Sequence, residues 1–423
     1  MPTYRAPGVF VEETSFRTRT VTPAPSGVTA FVGPTLAAPD DPQALPALRS
    51  FTDFERHYGD ASDLAGPDGP VTNYLAHAAR AFFDNGGGVL HVAPVAPGDT
   101  SAQACEAALA RLDAEPDIEL VAAPAAAAGP DDTPHRIASA LVAHVEAAGR
   151  HRFAVLDPPP GLSIAQVRAF RAPYDSRRAA LYYPWVEIAA PAPPGEAQGQ
   201  GEIQGQAAPS GRLALPPSGF VCGAYAATDV ERGLWIAPAN RVAKGVTGLQ
   251  AEVNADGQDL LNPLGVNCIR RLSGRGIRIW GARTLSSDPE FRYVNVRRLV
   301  AHVEASLARN LAWTAIEPSA PALWTNVAAM TRDFLVELWR AGALHGDSPD
   351  KAFFVRCGSD TMSPADVADG RLVVSLGLAV VRPAEFIVLR IVAAAQPAGP
   401  PAGRVAGPPT GPAPSGSRGR RQR

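Results

Sequence analysis

Apolar and polar positions in the first half of the chain follow two alternating patterns. Short runs rich in β-branched residues, GVTAFVG (27–33), VLHVAPV (89–95), IELVAAP (118–124) and HRFAVLDPP (151–159), read as buried strands. Between them the apolar spacing turns helical. FTDFERHYG is a short helix with Thr52 or Asp53 near its start and Gly59 past its end. VTNYLAHAARAFFDNGGG carries apolar residues at 71, 75, 78, 79, 82 and 83, and SAQACEAALARLDA continues the series. PHRIASALVAHVEAAGR puts Ile137, Leu141, Val142 and Val145 on one side. Alternation of this kind over 49–185 predicts an α/β layer sandwich.

The second half is patterned differently. VNVRRLVAHVEASLARNLAW is a helix with a stripe at 296, 299, 300, 303, 307 and 311, which leaves Arg297, Arg298, Glu304 and Arg309 on other faces. A second helix, LWTNVAAMTRDFLVELWRAGAL, has Leu323, Val327, Met330, Phe334 and Leu338 in line and stops at Gly342 or Gly346. The last strand, AEFIVLRIVAAA, is apolar at nearly every residue, so both its faces should be covered. At the other end, prolines frame one strand-like segment, GVFVEET, with no evident home in a local sheet. Residues 191–217 and 396–423 are rich in Pro and Gly, with Gln in the first and a basic tip, SRGRRQR, on the second. Neither can bury enough to offset ordering, so the first reads as a loop or linker and the second as a disordered tail.

Composition narrows the function classes. A net charge of −2 argues against a generally nucleic-acid-binding surface. Cys105, Cys222, Cys268 and Cys357 stand singly, which fits neither a zinc site nor a disulfide scaffold. No secretory signal and no membrane-spanning run is expected. DNGGG (84–88) follows a helix and precedes a strand, the reverse of a phosphate loop, and reads as a helix C-cap. No nucleophile elbow or metalloprotease motif appears, so no catalytic, cofactor or metal residues are assigned and the chain is not expected to be an enzyme.

One stretch keeps its chemistry. Nine arginines lie between Arg270 and Arg309, against Asp288, Glu290 and Glu304. With Trp280, Phe291 and Tyr293 they could form a nucleic-acid groove. Alternatively GIRIWGART is a strand with Ile277 and Ile279 inward and Arg278 and Trp280 outward, its arginines paired within the fold. In a third reading Arg275, Arg278, Arg283, Arg297 and Arg298 meet carboxylates of a neighbouring subunit, with Asp229, Glu231, Asp256, Asp259 and Asp366 as candidate partners.

PPSGFVCGAYAATDVERGLWIAPAN (216–240), GVNCIRRLSGRGIRIWGARTLSSDPEFRYVNVRRLVAHVEASL (265–307), RPAEFIVLRI (382–391) and the opening PGVFVEE together resemble sheath proteins of contractile phage tails and phage-tail-like injection systems. The resemblance covers 1–60 and 216–395, is general over 61–190, and is absent from 191–215 and the tail. It implies an α+β or α/β multidomain protein. A conserved inner sheath domain is built from N- and C-terminal segments, an α/β outer domain is inserted, and both ends are extended arms. The expected division is a linking arm at 1–27, the outer domain at 28–190, a loop at 191–217, the inner domain with its linking strand at 218–395, and the tail at 396–423. The resemblance further implies hexameric rings stacked around an inner tube protein, with baseplate and cap proteins as partners and a sister sheath protein as a further one. Assembly in the bacterial cytoplasm, as part of a phage tail or a released particle, goes with it, and neither membrane insertion nor a nucleic-acid partner is implied. Two strands are expected to pair between subunits: Gly8, Val9, Phe10, Val11 and Glu12 in the arm, and Glu385, Phe386, Ile387, Val388, Leu389, Arg390 and Ile391 at the C-terminal end. A nucleic-acid-binding structural protein, using 270–309 and the basic tail, is the alternative.

Overall fold

The computed structural model describes residues 20–41, 43–66, 69–97, 99, 101–190, 211–381 and 386–394. The arm strand expected at Gly8–Glu12 lies outside the described residues, as do Glu385, most of the 191–217 loop and the tail. The described chain begins with β1 (Thr29–Pro34), α1 (Phe51–Tyr58), β2 (Leu64–Gly66), β3 (Gly69–Val71) and α2 (Tyr74–Asp84). It continues through β4 (Leu90–Val95), α3 (Ala102–Arg111), β5 (Leu120–Ala122), α4 (Thr133–Glu146), β6 (Phe153–Leu156), α5 (Ile164–Arg171) and β7 (Ala179–Tyr183). Then come β8 (Val186–Ala189), β9 (Arg212–Leu215), α6 (Ser218–Arg232), β10 (Arg241–Val242), β11 (Gly248–Leu249) and α7 (Ala255–Leu261). The last part holds β12 (Val266–Leu272), β13 (Gly276–Ile279), α8 (Val294–Leu311), α9 (Pro321–Arg340), α10 (Pro349–Ala352), β14 (Phe353–Arg356), α11 (Pro364–Ala368), β15 (Arg371–Ala379) and β16 (Phe386–Ala394).

Local signals set most boundaries. The Ser50 hydroxyl, rather than Thr52 or Asp53, caps α1 by accepting from Asp53 N. Asn73 caps α2 in the same way through Ala76 N. The DNGGG run ends that helix as the C-cap reading requires, with Gly86 at φ 96°.

Eight strands form one sheet in the order β10-β13-β12-β7-β6-β5-β1-β4, parallel from β4 to β12 and antiparallel at β13 and β10. Alternate residues of each strand feed opposite faces: Phe31 packs with α1, α2 and α6, whereas Ala30 and Val32 pack with α3, α4 and α5. The result is the helix–sheet–helix layering that the alternation predicts. The sheet also joins segments assigned to separate domains. β12 pairs with β7, Val266 opposite Leu181, and α6 packs on the face that β1 and β4 help to form. The division expected at 190/218 therefore runs through a shared core, because a parallel strand is completed by its neighbour's hydrogen bonds whatever the intervening sequence. A further core lies between α8, α9 and the small antiparallel sheet β14-β15-β16. Among the described residues no helix is long and apolar enough to cross a membrane.

Candidate subunit interface

The arginines of 270–309 meet different fates, decided by the element that carries each. β13 alternates as expected: Ile277 and Ile279 are 6% and 0% exposed, while Arg278 and Trp280 reach solvent. Gly274 (φ 68°) and Gly276 (φ 74°) make the tight turn ahead of it. Arg278 donates from Nη1 to Asn240 O at 2.7 Å and from Nε to Arg275 O at 2.9 Å. Arg275 donates to Asn240 Oδ1 at 3.0 Å and lies over the Trp280 ring. Arg283 donates to Asn262 O at 3.1 Å and lies near the Tyr293 ring. These three guanidinium groups are held in position by neutral acceptors, and among the described residues none of them is paired with a carboxylate.

Arg297 and Arg298 do not belong with them. Both were expected at an interface, and both are buried within the chain, at 2% and 1% exposure. The reason is their place on α8, which packs between the main sheet and the second core and leaves those two positions no route to solvent. Arg298 makes two forked contacts. Its Nε and Nη2 donate to Glu119 Oε1 and Oε2 at 2.7 and 2.8 Å, and Nη1 and Nη2 donate to Asp229 Oδ1 and Oδ2 at 2.9 and 2.5 Å. Tyr225 stacks on the same guanidinium at 5.2 Å. Gly27 N donates to Glu119 Oε2 at 2.7 Å, so the residues ahead of β1 join the same cluster. Arg297 donates to Glu304 Oε2 at 2.5 Å, and Glu304 is also near His151 and Arg178. Arg298 thus binds α8 to α6 and to the residue ahead of β5, while Glu304, held by Arg297 on the same helix, reaches the residues ahead of β6 and β7.

Charge balance explains the titration of this cluster. One guanidinium faces two buried carboxylates. Burial, and then the neighbouring charge of Glu119, push Asp229 up to about 6 in spite of Arg298. Glu119 stays below the ordinary range: burial opposes this, and the Arg298 charge and hydrogen bonds outweigh it. Burial lowers Arg297 to about 10.

The candidate acidic partners divide in the same way. Asp229 is inside with Arg298, Glu231 forks with Arg241 at 2.5 and 3.1 Å, and Asp366 caps α11 and lies 3.2 Å from Arg371. Asp256 and Asp259 remain exposed on α7. A cleft of 490 Å³ beside α8 contains charged side chains, but these pair with each other, Arg150 with Asp113 and Arg309 with Asp117.

The C-terminal segment is a strand, with Phe386 opposite Ala379 and Ala394 opposite Arg371 in an antiparallel ladder. It is the outermost strand of its sheet among the described residues, so one backbone edge faces away from β15.

Comparison with known proteins places this arrangement. The phage tail sheath central domain matches residues 98–285 and the phage tail sheath C-terminal domain matches 286–394. The helical sheath of the anti-feeding prophage (AFP) in its contracted state superposes with a TM-score of 0.69 at 31% identity, over 92% of this chain and 99% of that one. The chain belongs to the phage tail sheath family. The contracted sheath of the extracellular contractile injection system PVC is similar as well, with a TM-score of 0.67 at 27% identity, over 92% of this chain and 98% of that one. A prophage major tail sheath protein of Pseudomonas aeruginosa (strain UCBPP-PA14) is 27% identical over 238 residues, and the match spans 55% of each chain, about half that relative's length. The boundary between the two matched sheath domains falls at 285/286, just ahead of α8. Arg298 therefore stands at the start of the C-terminal domain and binds it to the central one through Glu119 and Asp229, and Glu304 does the same through His151 and Arg178. Sequence reasoning missed Glu119; its signal was a carboxylate set inside the apolar run IELVAAP.

Proposed function

We propose that this chain is the protomer of a contractile sheath. Copies polymerise as stacked six-fold rings around an inner tube, start extended, and on a trigger from the baseplate shorten and drive the tube through a target envelope. The observation that carries the reading is the 31% identity to the contracted AFP sheath over 92% of the chain. The protomer acts mechanically rather than as an enzyme. It belongs to a phage tail or released injection particle and assembles in the bacterial cytoplasm, with tube, baseplate and cap proteins as its partners.

Two features support a linked polymer. The outer edge of β16 offers backbone donors and acceptors to a strand from a neighbour, and GVFVEE in the arm has the β-branched composition to supply one. Arg275, Arg278 and Arg283 offer fixed charges that exchange carboxylate partners between two packings. The nucleic-acid alternative loses ground, since Arg271, Arg297, Arg298 and Arg309 are paired with carboxylates of this chain.

The test is negative-stain electron microscopy of the full chain co-expressed with its tube protein. Hollow striated cylinders are expected, and removal of residues 1–13 should leave folded, soluble protein without long cylinders. Dispersed monomers from the full chain with its tube and baseplate would overturn the reading, and normal cylinders from the deletion would remove the arm's role.

A further inference from the structure

Arg298, His302, Ser306 and Asn310 are spaced four apart, so they share one face of α8. They form a polar stripe, and the leader from Val21 to Gly27 lies against it. Asn310 treats Thr22 as a neighbouring strand would. Its Oδ1 accepts from Thr22 N at 3.0 Å, and its Nδ2 donates to Thr22 O at 2.8 Å and to Ser306 O at 2.7 Å. Two carbonyls facing Nδ2 and one N–H facing Oδ1 fix the orientation of the carboxamide. Ser306 Oγ accepts from Ala24 N at 2.9 Å and donates to His302 O at 2.6 Å. Gly27 N meets the Glu119 carboxylate that Arg298 grips.

The two periods match. Two extended residues advance about 6.6 Å and four helical residues about 6 Å, so the step from Thr22 to Ala24 keeps pace with the step from Asn310 to Ser306. Val21 adds an apolar pin against the second core. Thr22, Pro23 and Pro25 are exposed, so these contacts hold surface backbone rather than filling a core. They do fix a place and a direction: the leader meets α8 at its C-terminal end, next to the turn Ala312–Ile316, and the backbone of β16 runs beside that same turn.

We propose that the α8 stripe is an exit track for the N-terminal arm, with Ser306 and Asn310 as positioning residues. The track directs the described leader, from Gly27 back to Val21, toward the turn Ala312–Ile316 that the backbone of β16 also meets. This rests on the sheath reading and adds to it the residues that aim the arm.

The test uses the full chain carrying Ser306→Ala with Asn310→Asp, where the aspartate keeps the acceptor and puts a charge against the Thr22 carbonyl. Hydrogen–deuterium exchange of the 20–27 amides should rise by roughly tenfold or more, the thermal transition should persist, and cylinders formed with the tube protein should be much shorter than wild type. Unchanged leader exchange overturns the track. So does fast leader exchange with cylinders of wild-type length. If the double variant fails to fold, Asn310→Asp alone carries the same two readouts, because that side chain is only half-buried. Wild-type protein that makes no cylinders with tube and baseplate present removes the sheath reading itself, which separates the two failures.

Discussion

Arg298 Nη2 lies 2.5 Å from Asp229 Oδ2, and each of the two side chains is 1% exposed. A contact so dry is costly to break from one side. Arg298→Met should destabilise the chain by about 3–5 kcal/mol, since Glu119 and Asp229 then remain buried without a cation. Adding Glu119→Gln and Asp229→Asn should recover part of that loss. Urea unfolding of the three proteins checks both steps. A loss below about 1 kcal/mol for Arg298→Met would mean that water enters the cluster.

Arg275, Arg278 and Arg283 should behave oppositely. Replacing all three with glutamate is expected to cost little in stability, within about 0.5 kcal/mol per site, and to impair cylinder formation most at low salt. Normal cylinders across a salt series would make these side chains merely solvated.

Gly219 and Gly223 let α6 lie directly on α2. A Cβ at Gly219 would fall 2.6 Å from Ala78 O, and one at Gly223 would fall 2.4 Å from Phe82 O. Alanine in a helix interior ordinarily gains about 1 kcal/mol over glycine. Here overpacking against backbone, about 1–3 kcal/mol or more, should exceed that gain. Gly223→Ala is therefore expected to lower the melting temperature; a rise would show that α2 and α6 slide apart freely.

Asp157 ends β6 and accepts from Ser218 N at 2.8 Å, at the first residue of α6. Burial pushes its carboxyl up to about 7 from an ordinary 3.8, against the hydrogen bonds from Ser218. The folded protein then holds a proton that the unfolded chain has already released, so this group makes stability fall as pH rises from about 4 to about 7, by at most about 1.4 kcal/mol per pH unit. His144 acts in the other direction: burial, and then the charges of Arg152 and Arg150, depress it to about 4, so its contribution is lost as pH falls below about 6.5. The difference between wild type and Asp157→Asn isolates the first effect, because asparagine keeps the acceptor without the charge. The advantage of the variant should grow from pH 4 to pH 7 and then level off. A difference that does not change with pH would place Asp157 in the ordinary carboxylate range.

Periodicity located most of the elements because burial follows one face. The stripe at 296, 299, 300, 303, 307 and 311 is buried throughout, and so is Leu323-Val327-Met330-Phe334-Leu338. The same rule misplaced Arg297 and Arg298. Facing away from the stripe means solvent only when a helix has one packed side, and α8 is packed on two. Strand partners were equally out of reach, since the pairing of β12 with β7 depends on residues about 85 positions apart (Leu181 and Val266) that carry no mark of each other. The candidate interface was half legible. The inward and outward alternation of β13 could be read directly, but Arg298's place inside the fold depended on Glu119 and Asp229 arriving from two other parts of the chain.

The excursion between β8 and β9 begins and ends at one point. Ala190 N donates to Gly211 O at 2.7 Å, and the ladder below continues with Ala189 opposite Arg212. Because the hairpin is already closed at Ala190 and Gly211, the β8–β9 ladder is complete without any contribution from the length of chain between them. Lengthening such a closed loop costs only about 0.6 kcal/mol per doubling. The position is thus a natural graft site: a foreign peptide or small domain inserted there would be repeated once per protomer, turning the polymer into a regular display lattice.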